Sequence, residues 1–214
     1  MKSYPKAILF DLDGVIIDTE SQYSIFWGGI GREYRPDVPD FAERIKGTTL
    51  ESIYTHWFAH LKDEQPEITR RLNEFEQQMQ YTYIEGVRSF IEALREAGIK
   101  TAIVTASNDE KMQSVLRVHP KLPTLFDRIL TSKDYAAGKP APDCYLEGAK
   151  GFDVIPEECV VFEDSINGLR AGRDSGALVV ALTTTNPYEA VAPLADIVIE
   201  NFKGMTLDEL KAKG

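Results

Sequence analysis

Short apolar runs alternate along this chain with stretches whose apolar residues recur at helical spacing. Runs of this length predict strands, and apolar residues three or four positions apart predict amphipathic helices. Strands that alternate with helices are typical of βαβ units, so we predict an α/β fold with a mostly parallel sheet and right-handed crossovers. The predicted strands are Ala7–Phe10, Lys100–Val104, Arg128–Leu130, Cys159–Phe162, Leu178–Leu182 and Ile197–Ile199. The predicted helices of this part are Val87–Ala97, Asp109–Val118, Ile166–Ser175 and Leu207–Lys213.

The stretch from Thr19 to Tyr83 interrupts this alternation, because it contains no convincing strand. We interpret it as a helical insert that covers the C-terminal edge of the sheet. The segment Thr48-Thr49-Leu50-Glu51 fits a capping box at the start of the second helix of the insert. The domains are therefore predicted as a core formed by residues 1–17 and 84–214 and a cap formed by residues 18–83. The predicted cap helices are Ser21–Tyr34, Leu50–Lys62 and Pro66–Tyr81.

The 214 residues carry a formal net charge of −10, which bears on partners and location. Proteins that bind nucleic acid usually present a basic face, so no nucleic-acid partner is expected, and the charge also disfavours an anionic membrane surface. Asp11 and Asp13 interrupt the first apolar stretch, which is therefore not a signal peptide. No window approaches the roughly 18 apolar residues of a membrane span. We expect a cytoplasmic, monomeric protein with free thiols at Cys144 and Cys159.

Two carboxylates, Asp11 and Asp13, follow the first predicted strand and precede Gly14. Side chains at positions i and i+2 of an extended segment share a face. Charges at the end of a buried strand are costly unless they are paired or bound to metal. One carboxylate can attack phosphorus and hold Mg²⁺, while the other transfers the proton. The alternative is a capped loop start, because aspartate is common in turns.

The segment Thr105-Ala106-Ser107-Asn108 follows the predicted strand Lys100–Val104. A hydroxyl at a strand end, beside the start of a helix, can donate a hydrogen bond to a phosphate oxygen. Ser107 followed by Glu110 also fits a capping box, so the segment is equally well explained as a helix start.

A lysine and an acidic pair follow two further strands. Lys139 lies between Gly138 and Pro140, and its ammonium could pair with Asp11 and with the charge that develops on a phosphoryl group; the alternative is a solvated surface lysine. Glu163 and Asp164 follow the strand Cys159–Phe162. Mg²⁺ takes oxygen ligands and often only one or two carboxylates, which Asp164 and Asp11 would supply. The alternative for Asp164 is helix capping.

All four motifs lie at the C-terminal ends of predicted parallel strands. Open α/β sheets bind their ligands at that edge. Four accidental placements are less probable than one shared site, so we predict a single phosphoryl-transfer site at this edge.

The motifs DLDGVIIDTE, IVTAS, GKPAPD and VVFEDSINGLRAG resemble, in order and spacing, those of the haloacid dehalogenase superfamily of phosphotransferases. The resemblance covers essentially the whole chain and is closest to the subfamily with a helical cap between the first two motifs, which includes β-phosphoglucomutase and many small phosphatases. It implies a Rossmann-like core, Mg²⁺ as cofactor and a small phosphorylated metabolite as substrate. The resemblance implies that Asp11 is the nucleophile and a Mg²⁺ ligand, and that Asp13 is the general acid and base, whose backbone carbonyl also binds Mg²⁺. It implies that Asp164 is a further Mg²⁺ ligand, which Glu163 supports directly or through water. Thr105 and Lys139 are the implied phosphoryl-binding residues, with Ser107 and Asn108 close by.

Three cap residues, Tyr23, Lys46 and Gly47, are candidate substrate-binding residues. Mutases of this subfamily typically carry a histidine where Tyr23 stands and an arginine where Leu50 stands, so the resemblance favours a phosphatase, with a sugar phosphate as one substrate. Arg44 or Lys46 could clamp a second phosphate instead, which keeps a hexose phosphate mutase open. A non-catalytic phosphate-binding protein is the third alternative, and the complete set of nucleophile, acid, lysine and metal ligand argues against it.

Overall fold

A computed structural model describes residues 5–213, so residues 1–4 and 214 of the predicted core lie outside the described part. The strands are β1 Ala7–Phe10, β2 Ile17–Asp18, β3 Thr82–Tyr83, β4 Lys100–Val104, β5 Arg128–Leu130, β6 Cys159–Glu163, β7 Leu178–Leu182 and β8 Ile197–Ile199. The α-helices are α1 Glu20–Tyr34, α2 Phe41–Ile45, α3 Leu50–Trp57, α4 Gln65–Gln78, α5 Val87–Glu96, α6 Asp109–Val118, α7 Asp143–Lys150, α8 Ile166–Ser175, α9 Tyr188–Val191 and α10 Leu207–Lys213.

Six parallel strands form one sheet in the order β5-β4-β1-β6-β7-β8, which confirms the predicted α/β fold with its Rossmann-like sheet. The first strand lies in the middle, where Ala7 is in register with Lys100 of β4 and with Cys159 of β6. Every residue of β1 is fully buried, as expected of a central strand covered on both faces. The C-terminal ends of β1, β4 and β6 therefore meet at one edge.

An aromatic cluster packs against one face of this sheet. The rings of Phe10 and Phe162, on neighbouring strands, stack with centroids 5.0 Å apart. Phe90 of α5 and Phe202 contact both rings. Such large buried rings contribute strongly to stability, and they hold rigid the two strands that end in the acidic motifs.

The helices α1–α4, called the cap below, lie between β2 and β3 and form the predicted helical insert. The two short strands pair antiparallel, Ile17 with Tyr83 and Asp18 with Thr82, so the chain leaves and re-enters the core side by side. The cap has a hydrophobic core of its own, centred on Trp27, Phe41, Phe58, Ile68 and Leu72. The domain boundaries at 17/18 and 83/84 stay a prediction, and the β2–β3 pair lies at both of them.

The cap helices differ from the predicted ones at their ends. The helix predicted over Leu50–Lys62 ends at Trp57, because Phe58 turns into the cap core and its carbonyl accepts a hydrogen bond of 3.0 Å from the Gln65 side chain. The predicted capping box is shifted by one residue: Thr49 is the N-cap and accepts from the Ser52 amide. None of the helices between residues 5 and 213 combines the length and apolarity that crossing a membrane requires.

Candidate active site

The carboxylate of Asp11 lies at the end of the central strand. Its backbone amide still follows the sheet pattern and donates to the Phe162 carbonyl at 3.0 Å. The residue is only 5% exposed, and its Oδ1 accepts a 2.7 Å hydrogen bond from the Lys139 ammonium. Burial raises the pKa of Asp11 to about 7 against the opposing attraction of Lys139.

Lys139 is buried between two carboxylates. Its ammonium donates to Glu163 Oε1 at 2.6 Å as well as to Asp11, and it is 1% exposed. Removal from water alone would lower the pKa of Lys139, but the two carboxylates hold it well above its ordinary value. The lysine is therefore a fixed positive charge beside Asp11.

Glu163 already has a full set of hydrogen-bond donors. Oε1 accepts from Lys139 and from the Tyr145 hydroxyl at 2.9 Å. Oε2 accepts from the backbone amides of Asp164 and Ser165 at 2.9 and 3.0 Å and from the Ser165 hydroxyl at 3.1 Å. Burial would raise the pKa of Glu163, but Lys139 and these hydrogen bonds hold it below its ordinary value. Glu163 thus positions Lys139 and the loop that carries Asp164.

Asp13 faces a different lysine. The ammonium of Lys111, in the first turn of α6, donates to Asp13 Oδ2, and the Thr19 hydroxyl donates to Oδ1. The Ser107 hydroxyl lies 3.4 Å from Oδ2. These contacts hold the Asp13 carboxylate at the C-terminal edge of the sheet. Asp13 and Asp11 thus contact different lysines.

Asp164 approaches the first motif closely. The Thr185 hydroxyl donates to its Oδ2, and the Asn186 side chain donates to its carbonyl at 2.9 Å. Gly14 has φ +69°, and a Cβ there would collide with Asp164 Oδ2. Only glycine therefore allows the turn after Asp13 to pass beside this carboxylate.

Three carboxylates at this edge lie close enough together to hold a metal ion, although both oxygens of Glu163 already accept from protein donors. Oxygens of Asp11, Glu163 and Asp164 all lie within 4.8 Å of one another. Burial raises the pKa of Asp164 well above its ordinary value, and neighbouring Glu163 acts in the same direction. A cation would offset the desolvation that raises these pKa values, and Mg²⁺ prefers such hard oxygen donors.

The segment after β4 departs from one expectation. Asn108, and not Ser107, is the N-cap of α6, because Asn108 Oδ1 accepts from the Lys111 amide at 3.0 Å. Thr105 is 1% exposed; its hydroxyl donates to Ser107 Oγ at 2.9 Å and accepts from the Ser107 amide at 3.1 Å. Ser107 and Asn108 line the cavity described below, whereas Thr105 lies behind them.

The cap touches the core through the loop that carries Lys46 and Gly47. The Lys46 carbonyl accepts a 2.9 Å hydrogen bond from Asn167, and its ammonium pairs with Glu43 at 2.7 Å. Gly47 has φ +73°, and a Cβ there would collide with the Ser165 hydroxyl. The loop therefore packs against the same segment that holds Glu163 and Asp164.

A cavity that is open to solvent lies between the cap and the sheet edge, with about 780 Å³ of empty space that includes part of the solvent. The core supplies its acidic floor, and the cap supplies a mixed wall of apolar, acidic and basic side chains. All three cap candidates, Tyr23, Lys46 and Gly47, line it. The Tyr23 hydroxyl donates to Glu76 at 2.7 Å, and its ring lies 4.4 Å from the Lys111 ammonium.

Three residues of the site were missed from the sequence: Lys111, Glu20 and Glu76. Lys111 occupies the first turn of a helix, where the helix dipole disfavours a cation, and this unfavourable position was the available signal. Glu20 and Glu76 look like ordinary polar positions of amphipathic helices, and only the tertiary fold turns them toward the cavity.

The chain is similar to hydrolases and mutases of known family. A family model for haloacid dehalogenase-like hydrolases matches residues 5–176. The β-phosphoglucomutase of Bacillus subtilis (strain 168) is 30% identical over 222 residues, which cover 96% of this chain and 93% of that protein. The validoxylamine A 7'-phosphate phosphatase of Streptomyces hygroscopicus subsp. limoneus is 26% identical, over 92% of this chain and 93% of that protein. The crystal structure of a family IA, variant 3 hydrolase of this superfamily from Entamoeba histolytica is alike in fold, with a TM-score of 0.81 at 23% identity over 97% of this chain and 98% of that one.

The fold, the acidic sheet edge and the family match agree. The chain belongs to the haloacid dehalogenase-like hydrolases. Within that family it is similar to both a mutase and a phosphatase, which confirms the resemblance stated from the motifs.

Proposed function

We propose that the protein is a Mg²⁺-dependent phosphatase that hydrolyses a small phosphorylated metabolite, such as a sugar phosphate, through an aspartyl phosphate on Asp11. One observation carries the proposal: Asp11 and Asp13 line the same cavity, and each carboxylate contacts a lysine of its own. A binding protein does not require a nucleophile and an acid arranged in this way.

In the first step an oxygen of Asp11 attacks phosphorus, and the bond to the leaving alcohol breaks. Asp13 gives its proton to the leaving oxygen. In the second step Asp13 takes a proton from water, and that water oxygen attacks the aspartyl phosphate, so that phosphate leaves and Asp11 is restored. The sum of the two steps is one ester and one water converted to one alcohol and one phosphate.

The remaining residues bind and orient. Lys139 neutralises charge beside Asp11 and on the phosphoryl oxygens, where most of the barrier in phosphoryl transfer is lowered. Ser107 and Asn108 are proposed to donate to phosphate oxygens, with Thr105 holding Ser107 in position. Asp11, the Asp13 carbonyl and Asp164 would hold Mg²⁺, which supplies positive charge opposite the phosphate.

A hexose phosphate mutase is the second candidate, and similarity to the Bacillus subtilis β-phosphoglucomutase favours it. A mutase must hold a second phosphate at the cap. Here Leu50 is apolar, and the Lys46 ammonium is paired with Glu43, which supports the phosphatase over the mutase.

Phosphate release from sugar phosphates, nucleotides and phosphoglycolate, measured with and without Mg²⁺, tests the proposal. We expect Mg²⁺-dependent release that Asp11→Asn abolishes, while the exposed control Asp18→Asn retains it. Conversion of β-glucose 1-phosphate to glucose 6-phosphate upon addition of a bisphosphate, without net release, would establish the mutase instead. Equal release by Asp11→Asn and by the wild type would refute Asp11 as nucleophile.

A further inference from the structure

Glu76, on cap helix α4, has one carboxylate oxygen with no partner in the described part of the chain. The residue is 4% exposed and lines the cavity. Its Oε1 accepts from the Tyr23 hydroxyl, whereas its Oε2 is buried and has no hydrogen-bond partner among residues 5–213. Buried polar atoms of native proteins are nearly always satisfied, so an unsatisfied one beside a cavity indicates a missing donor.

Glu20, the first residue of α1, also has a buried carboxylate oxygen without a partner in the described part of the chain. This oxygen is Oε2, and the residue also lines the cavity. Burial raises the pKa of Glu76, and it raises that of Glu20 to about 8. Two cap carboxylates thus lack the donors that water would supply to them.

The cations of the cavity are already paired. Among the described residues that line it, the lysines are Lys46 and Lys111. Lys46 pairs with Glu43, and Lys111 pairs with Asp13. The cavity therefore offers unmet hydrogen-bond acceptors and no unpaired lysine for a second anionic group.

We infer that the leaving alcohol carries a hydrogen-bond donor, a hydroxyl or a protonated amine, that binds Glu76, and that it carries no second phosphate. The inference rests on the proposed phosphatase activity and makes Glu76 a residue that determines substrate specificity. A site built to hydrogen-bond a substrate group rejects the analogue that lacks the group, because its own polar atoms are then left unpaired.

The test uses alkyl monophosphates of graded chain length that end in methyl, hydroxyl, ammonium or a second phosphate. For the wild type we expect kcat/KM to be about tenfold higher for the hydroxyl or ammonium ester than for the methyl ester of the same length, and lowest for the bisphosphate. Glu76→Met should abolish this ratio, because methionine offers no carboxylate or amide group to the ester. The control Glu74→Met, at an exposed residue of the same helix that pairs with Arg70, should keep it.

Each result decides the inference. A higher kcat/KM for the ammonium ester than for the hydroxyl ester supports the inference with an amino alcohol as leaving group. Equal values for these two esters, both above that of the methyl ester, support it with a polyol as leaving group. A ratio that Glu76→Met leaves unchanged, or a wild type that favours the bisphosphate, overturns it.

Absence of turnover for every ester would count against the phosphatase, and binding would then decide the inference. We expect calorimetry on Asp11→Asn to show tighter binding of the donor-bearing esters and loss of this difference when Glu76→Met is added. Equal binding of the methyl and donor-bearing esters, or no binding of either, overturns it.

Discussion

Lys111 donates its ammonium hydrogen bond to the Asp13 carboxylate, although the two residues lie 98 positions apart in the chain. Side chains of both are largely buried, at 6% and 15% exposure. The same ammonium lies over the ring of Tyr23 from the cap. A core helix thereby fixes the orientation of the proposed acid and links it to the cap.

Replacement of Lys111 by methionine should lower turnover more than stability. Without the ammonium, Asp13 keeps only hydroxyl contacts and loses its fixed orientation, so we expect kcat to fall by about tenfold or more. Steady-state kinetics measure the effect. Lys133→Met is the control, because Lys133 forms an exposed pair with Asp109 at the start of the same helix. Equal kcat values for the two variants would contradict a positioning role for Lys111.

Replacement of Lys139 by methionine should damage both stability and activity. It leaves the carboxyl groups of Asp11 and Glu163 buried without their cation, and loss of one member of a buried ion pair costs about 3–5 kcal/mol. Urea unfolding gives the free energy of unfolding directly. Lys100→Met breaks the exposed pair with Asp127 and should cost less than about 1 kcal/mol. Similar losses for the two variants would rule out Lys139 as the charge that holds this cluster together.

Affinity for Mg²⁺ should rise with pH through the neutral range. The pKa of Asp11 is raised to about 7 by burial, so below that pH a proton occupies the carboxyl and competes with the cation. Above it the carboxylate is free to bind. Calorimetric titration with Mg²⁺ between about pH 6 and 8 should show stronger binding and less proton release as the pH increases. The same affinity at both ends of that range would contradict the displacement of a proton from Asp11 by Mg²⁺ near neutral pH.

Alanine at Gly47 should disturb the contact between cap and core. Both Gly47 and Gly98 have positive φ, +73° and +71°, so alanine is strained by about 1–2 kcal/mol at either site. At Gly47 alone the added Cβ also meets Ser165, whereas nothing lies near Gly98. We therefore expect Gly47→Ala to raise KM or lower kcat and Gly98→Ala to change only stability. Unchanged kinetics in Gly47→Ala would show that this contact is dispensable for turnover.

The sheet was predictable because each of its strands is a short apolar run that ends abruptly in polar residues. Five of the six predicted ranges match the observed strands residue for residue, and β6 is one residue longer because Glu163 continues the pairing with β7. The edge carrying Asp11, Asp13, Lys139 and Asp164 followed from that topology.

The cap was less predictable, since its helix ends depend on tertiary contacts. Phe58 continues a helical pattern in sequence, yet its burial in the cap core ends α3. The strands β2 and β3 have two residues each, which is too short for an alternating apolar pattern to be recognised in the sequence. Partners such as Lys111 for Asp13 depend on distant elements meeting in space, which one sequence does not reveal.

The β2–β3 pair makes the cap structurally separable from the sheet. The chain leaves and re-enters the core through two paired residues on each of these strands. The whole cap therefore lies outside the six-stranded sheet. A change of length or sequence between these strands therefore leaves the pairing of the six-stranded sheet intact. The cap can differ in what it recognises while the side chains at the edge of the sheet stay in place.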